Sequence, residues 1–249
     1  MTGTPSPADS LSVVVPVFNE ADNVLPLVAE IHAALDKAKV SFEVIYVDDG
    51  STDGTRRRLA EARARFPRLR VVRLAKNCGQ SAATWAGVKA ARAHWVVTLD
   101  GDGQNDPADI ARLIAALRGT GDAGRAPLIA GLRRRRQDNW ARRASSRVAN
   151  DLRSRLLKDR TPDTGCALKL FEREAFLELP YFDHMHRFLP ALFRRQGMEV
   201  VLVEVGHRAR ERGVSKYGVR NRLWAGIADV IGVMWLQRRM KSPEVEYEE

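Results

Sequence analysis

Cysteine is scarce: Cys78 and Cys166 are the only two in 249 residues. That excludes a disulfide framework and points to a reducing compartment. Their spacing builds no zinc site either. Aromatic residues make up only 7% of the chain, and no DNA- or RNA-binding signature accompanies the basic residues. Apolar runs are short, and none approaches the roughly 18 to 20 residues needed to span a bilayer. The first ten residues, Met1 to Ser10, lack a basic region followed by an apolar one, so they read as a disordered lead-in to a cytoplasmic protein rather than a signal peptide. A glycine-rich phosphate loop is missing after the first apolar run, where Phe18-Asn-Glu20 stands instead. This weighs against a nucleotidyltransferase. No internal repeat is visible.

What is present describes an ordinary globular protein, with 45% apolar and 29% charged residues. The length fits one large domain, or a domain with an appendage. The net charge of +10 is unevenly placed. Arg133 to Arg136, Arg142, Arg143, Arg147, Arg153, Arg155 and Lys158 form a dense basic middle. Arg208, Arg210, Arg212, Lys216, Arg220 and Arg222 form a second cluster. Such surfaces favour phosphates, whether of nucleic acid, anionic lipid or a phosphorylated substrate.

Apolar runs and helical spacing alternate along the chain. Leu11 to Val17 is almost continuously apolar, as expected of a strand covered on both faces. Ala21 to Ala38 repeats apolar residues at helical spacing. Strands are expected at Phe42 to Val47, Leu69 to Leu74, Trp95 to Leu99, Leu128 to Gly131, Ala167 to Phe171 and Val200 to Val205. Helices are expected at Thr55 to Arg65, Ser81 to Arg92, Pro107 to Arg118, Asn139 to Lys158 and Met185 to Gln196. Alternation of this kind predicts an open α/β sheet, in which ligands bind beyond the carboxyl ends of strands. Glu20, Asp49 and Asp102 each follow a strand end, so one crevice can collect them.

The stretch Trp95-Val-Val-Thr-Leu-Asp-Gly-Asp-Gly-Gln104 concentrates the chemistry. Asp100 and Asp102 lie two apart in the glycine-broken turn after a buried strand. Carboxylates so placed suit a hard divalent cation, Mg²⁺ or Mn²⁺, shared with substrate phosphates. An Asp/Gly turn whose side chains cap their own backbone is the alternative for these residues taken alone. Asp48 and Asp49 have a similar alternative as helix caps. His184, His186 and His207 read as structural, and Trp140 and Tyr181 as core. The last helix, residues 219–241, carries Trp224 and Trp235 among aliphatics with cationic ends. It reads as an amphipathic helix lying in a membrane surface, or as one packed on the sheet or on a partner subunit. The tail 242–249 is acidic.

The order Pro16-Val-Phe-Asn-Glu20, Val47-Asp-Asp-Gly-Ser51, Asn77-Cys-Gly79, Asp100-Gly-Asp-Gly-Gln104, Gly131-Leu-Arg133 and Arg210-x-x-Gly-x-Ser-Lys216 resembles family 2 glycosyltransferases of the GT-A fold. Within them it resembles the dolichol-phosphate mannose synthase branch, with its bacterial polyprenyl-phosphate glycosyltransferases. The resemblance implies a Rossmann-like, mixed but mainly parallel sheet flanked by helices over residues 11–218. It implies that Pro16, Phe18, Glu20, Val47, Asp49, Asp100, Gly101 and Asp102 meet the nucleotide sugar, with Phe18 where relatives have Tyr. It further implies that Asp102 and Gln104 hold the metal, that Arg133, Arg142 and Ser146 hold the acceptor phosphate, and that Arg210 and Lys216 close over the donor diphosphate. Many relatives carry Thr-Ser-Gly-Phe-Arg where this chain has Asp163 to Lys169, and many add C-terminal transmembrane helices.

The implied reaction is inverting, metal-dependent transfer of a sugar from GDP-mannose or a UDP-hexose to a dolichyl or undecaprenyl phosphate. It is expected at the cytoplasmic face of a membrane, with Asp102, Arg133, Arg210 and Lys216 as the catalytic set. A second copy of the chain or an integral-membrane partner is compatible with the last helix. The physical chemistry agrees. A lipid phosphate is already anionic near neutral pH (phosphate second pKa about 6), so no general base is required. Arginine forks suit the task of bringing two anions together. The rivals are a same-fold enzyme with another acceptor, a catalytically idle adaptor, and a basic nucleic-acid-binding module, the last at odds with the expectation of no nucleic-acid partner.

Overall fold

Strand β1 (Leu11–Val17) forms the middle of the molecule because nearly every residue in it is apolar and buried. Val13 and Val15 face one hydrophobic cluster while Val14 faces another, so the strand is covered on both sides. The structure is a computed structural model describing residues 10–120, 125–133, 153–209 and 220–239. Around β1 are ordered helix α1 (Ala21–Lys37), β2 (Phe42–Asp48), α2 (Thr55–Arg65), β3 (Leu69–Arg73), α3 (Gln80–Ala90), β4 (Trp95–Thr98), α4 (Ile110–Arg118) and β5 (Leu128–Arg133). The chain continues through β6 (Lys169–Glu172), a short α5 (Arg173–Leu177), α6 (Leu189–Arg195), β7 (Val200–Val205) and α7 (Arg220–Arg239).

The strands form one seven-stranded sheet in the order β3-β2-β1-β4-β6-β5-β7. All pairings are parallel except those of β6, which runs antiparallel to β4 and β5. This is the mixed, mainly parallel α/β sheet expected from the sequence. Helices α1, α2 and α4 cover one face, and α3, α5, α6 and Val233 of α7 cover the other.

Two expected elements differ. The helix expected from Met185 to Gln196 is split into a 3₁₀ turn at Met185–Arg187 and α6 starting at Leu189. Pro190 has no N–H to donate and is best accommodated in the first turn of a helix, where it stands in α6. Helix α5 was not expected, since its five residues are too few to show a period. Of the helix expected at Asn139 to Lys158, residues 153–157 are described and helical. Tyr181 is 51% exposed, correcting its reading as core. Its ring leans on Trp85 at 5.6 Å between centroids.

Candidate active site

The loops after β1 and β2 are tied to each other before they reach any ligand. Asn19, at φ +55, accepts the Thr52 N–H on its side-chain oxygen at 2.7 Å and donates its own N–H to Ser51 Oγ at 2.9 Å. The Glu20 N–H reaches Thr55 Oγ1 at 2.8 Å. These bonds fix where the Glu20 and Asp49 side chains emerge. Asp49 accepts from the N–H groups of Cys78 and Gly79 at 2.7 and 2.9 Å. It therefore anchors the turn that opens α3 rather than capping its own helix. Burial raises the Asp49 pKa, with Asp48 and Asp183 adding to the shift, against the two backbone N–H groups.

These residues line a crevice of about 650 Å³ at the carboxyl edge of the sheet. Pro16, Phe18, Glu20, Asp49, Asp100, Gly101, Asp102, Gln104 and Arg133 all contribute to its wall. Val47 does not. Its side chain is fully buried in the core, where it closes on Gly87. Any contact of Val47 with a nucleotide would therefore be made through its backbone. Gly101 explains how the Asp100 turn reaches the crevice: a Cβ there would stand 2.3 Å from Val17 Cγ1. Gly101→Ala is therefore expected to lower stability by about 1–3 kcal/mol through overpacking, read as a drop in the unfolding midpoint with reduced nucleotide affinity.

Asp100 is held by Gln80 Nε2 at 2.7 Å. Burial first, and then the neighbouring Asp102 charge, push its pKa up to about 7, against Lys169 and Arg133. The Asp100 carboxyl therefore holds a proton about half the time at neutral pH, beside Asp102, whose Oδ1 accepts the Gln104 N–H at 3.1 Å. Among the described residues no cluster of three or more His, Cys, Asp or Glu side chains is arranged for a metal. The Asp102 carboxylate and Gln104 amide are nonetheless oxygen donors beside a second acidic side chain, Asp100. That set fits a divalent cation completing its shell with substrate phosphates and water. Gln104 also pairs with the backbone of residue 208: its carbonyl accepts the Arg208 N–H at 2.9 Å, and its amide nitrogen approaches the Arg208 carbonyl at 3.4 Å. The chain leading to Arg210 therefore starts next to the candidate metal donors.

Arg133 comes to the crevice from the end of β5. Its Nε and terminal nitrogen donate to both oxygens of Asp163 at 2.6 and 2.7 Å, and each side chain is 11% exposed. Lys169, at the start of β6, is buried and donates to the Cys166 carbonyl. Burial lowers the Lys169 pKa and raises that of the Cys166 thiol. His186 and Arg187, from the 3₁₀ turn before α6, complete this part of the wall. Sequence reasoning reads His186 as structural and gives no site role to Asp163, Lys169 or Arg187, which sit in stretches with no strand-end carboxylate pattern. Arg142, Ser146, Arg210 and Lys216 lie outside the described residues.

The family model described as "Glycosyl transferase family 2" matches residues 12–179. Dodecaprenyl-phosphate galacturonate synthase of Rhizobium johnstonii is 38% identical over 250 residues, covering 97% of this chain and 72% of that protein. Undecaprenyl-phosphate 4-deoxy-4-formamido-L-arabinose transferase of Aeromonas hydrophila is 36% identical over 211 residues, covering 84% of this chain. The matched region spans only 63% of that second relative's length. Among solved structures, glucosyl-3-phosphoglycerate synthase from Mycobacterium tuberculosis, in complex with Mn²⁺, UDP and glucosyl-3-phosphoglycerate, superposes with a TM-score of 0.69 at 22% identity. The match covers 94% of this chain and 81% of that one. Mannosyl-3-phosphoglycerate synthase from Rubrobacter xylanophilus gives 0.71 at 17% identity, covering 95% and 78%. At such identities the likeness is one of fold.

Proposed function

Because the chain belongs to glycosyl transferase family 2, we propose that it moves one sugar from a nucleotide sugar to a polyprenyl phosphate, inverting the anomeric centre. The observation that carries this reading is a single crevice holding oxygen donors for a metal and diphosphate together with a buried arginine fork. The named relatives, which act on dodecaprenyl and undecaprenyl phosphates, support the choice of acceptor. A phosphate oxygen of the lipid attacks the anomeric carbon. The bond from that carbon to the diphosphate breaks, and its electron pair leaves with the nucleoside diphosphate. No proton changes hands, so the step requires no general base.

Asp102 and Gln104 would hold Mg²⁺ or Mn²⁺, which supplies Lewis-acid stabilisation of the departing diphosphate when bound. Glu20 and Asp49, fixed by the tied loops, border the nucleotide end. Arg133 borders the acceptor end; Asp163 engages its Nε–Nη2 fork, so it would meet the acceptor phosphate through its charge and its remaining N–H groups. Arg142 and Ser146 would join it there, and Arg210 and Lys216 would close over the diphosphate.

Helix α7 supports placement at a membrane surface. No described helix is long and apolar enough to cross a membrane. Ile227, Ile231 and Trp235 recur every fourth residue and are 45%, 61% and 58% exposed, making one outward apolar stripe. Lys158, Arg194, Arg195 and Arg238 line a pocket of about 620 Å³ beside Met234 of the same helix. Apolar stripe and cationic pocket together match an anionic bilayer surface at the cytoplasmic side. Ile231→Asp with Trp235→Asp is expected to reduce co-sedimentation with phosphatidylglycerol vesicles about tenfold or more. Donor binding in solution should be unchanged. Unaltered sedimentation would assign the stripe to a second copy or to a membrane-protein partner instead.

The direct test of the function supplies radiolabelled UDP-glucose, UDP-galacturonate and GDP-mannose in turn, with undecaprenyl phosphate and Mn²⁺ or Mg²⁺. One donor should carry label into the lipid phase. Label appearing only on a water-soluble phosphorylated acceptor would replace the lipid in this reading.

A further inference from the structure

His186 lines the crevice but is held by a residue behind it. Its Nδ1 lies 2.7 Å from Ser81 Oγ, and Ser81 is fully buried in the first turn of α3. The same Oγ accepts the His186 backbone N–H at 3.3 Å. Oγ keeps its proton and a second lone pair, either of which can meet Nδ1; when the hydroxyl donates, the ring proton lies on Nε2. Burial, aided by the charges of Arg187, Lys169 and His184, holds the imidazole pKa well below its usual value. The ring is therefore neutral, and in the tautomer in which Ser81 donates it presents one N–H on the edge that Ser81 does not occupy.

The setting of this donor in the crevice is specific. The charges of Asp100, Asp163 and Arg133 all act on Lys169, which in turn lies close enough to His186 to influence the ring, and all five residues line the crevice. The span between the Asp100–Asp102 turn and Arg133 is the span a transferred sugar must cross between the two phosphates. Cations suit phosphates, whereas sugar hydroxyls are neutral and are read by neutral donors. A buried donor left unpaired by the wrong sugar discriminates more strongly than lost apolar contact does.

We propose that Ser81 and His186 act as a unit in which the imidazole Nε2–H donates to a hydroxyl or carbonyl oxygen of the donor sugar and so selects it. His186 touches the sugar; Ser81 is a positioning residue that fixes the tautomer. The proposal rests on the glycosyltransferase reading above and adds a specificity role for two residues outside its site assignments.

The test is calorimetric binding with Mn²⁺, comparing UDP-glucose, UDP-galacturonate and GDP-mannose each with its own bare UDP or GDP. His186→Ala should weaken binding of the preferred nucleotide sugar about tenfold and leave the bare diphosphate unchanged. His186→Gln, which places an N–H near the Nε2 position, should recover most of the loss. Ser81→Ala should produce a smaller loss, again confined to the sugar-bearing ligand. Equal weakening of sugar nucleotide and bare diphosphate, no weakening, or no recovery with glutamine overturns the proposal while leaving the proposed reaction in place. If the wild-type protein binds none of the three nucleotide sugars or their diphosphates, the proposal falls together with the reading it rests on. Should His186→Ala fail to fold, the glutamine and Ser81→Ala variants decide the matter by the same comparison.

Discussion

Asp102→Ala is expected to lower sugar transfer by about a thousandfold or more, because metal stabilisation of a leaving diphosphate contributes several kcal/mol. Asp102 lies at the crevice wall, and its assigned hydrogen bond is a local one to the Gln104 N–H. The fold should therefore survive, with an unfolding midpoint close to wild type. A second readout isolates the cause. Mn²⁺ should strengthen nucleotide binding to the wild-type protein and fail to do so in the variant. Wild-type turnover by Asp102→Ala would remove the metal from this site.

Arg133→Ala has two separable consequences. It leaves the buried Asp163 carboxylate without its fork, and breaking a buried pair costs about 3–5 kcal/mol. It also removes the cation assigned to the acceptor phosphate. To separate stability from function, Arg133→Lys retains the charge but loses the bidentate geometry. In that variant the lipid-phosphate KM should rise about tenfold to a hundredfold. Slow hydrolysis of the donor without acceptor should persist at near the wild-type rate. Equal losses in transfer and donor hydrolysis would show that Arg133 serves the donor or merely the packing of Asp163.

Much of the architecture was legible because burial leaves a direct trace in the sequence. Leu11 to Val17 is apolar on both faces because both faces are covered, and this alone places β1 inside a sheet. Carboxylates after strand ends were equally visible, and Glu20, Asp49 and Asp102 do meet in one crevice. The remaining site was less legible for a topological reason. β6 runs antiparallel between β4 and β5, and this reversal brings Asp163, in the turn before it, and Lys169, at its first residue, to the crevice, which no local pattern announces. His186 was equally hidden. A lone histidine near a helix start says nothing until Ser81, 105 residues earlier, is found against it. At Val47 the matched motif position is a core side chain, while Asp49, two residues on, lines the crevice.

Helix α7 illustrates a residue read only in part. Asp229 interrupts the apolar pattern of the sequence, and the structure pairs it with His184 Nδ1 at 2.9 Å. His184 sits at φ +65 immediately before the turn that carries His186 and Arg187. The bond thus ties the helix bearing the exposed stripe to the crevice wall.

The most direct measurement follows both products of a single turnover by mass spectrometry, using undecaprenyl phosphate and the donor identified by the panel. Glycosyl transfer predicts a lipid gaining one sugar on its existing phosphate, with nucleoside diphosphate released in equal amount. Release of nucleoside monophosphate, with the sugar joined to the lipid through a diphosphate, would contradict attack at the anomeric carbon and the whole account of the crevice.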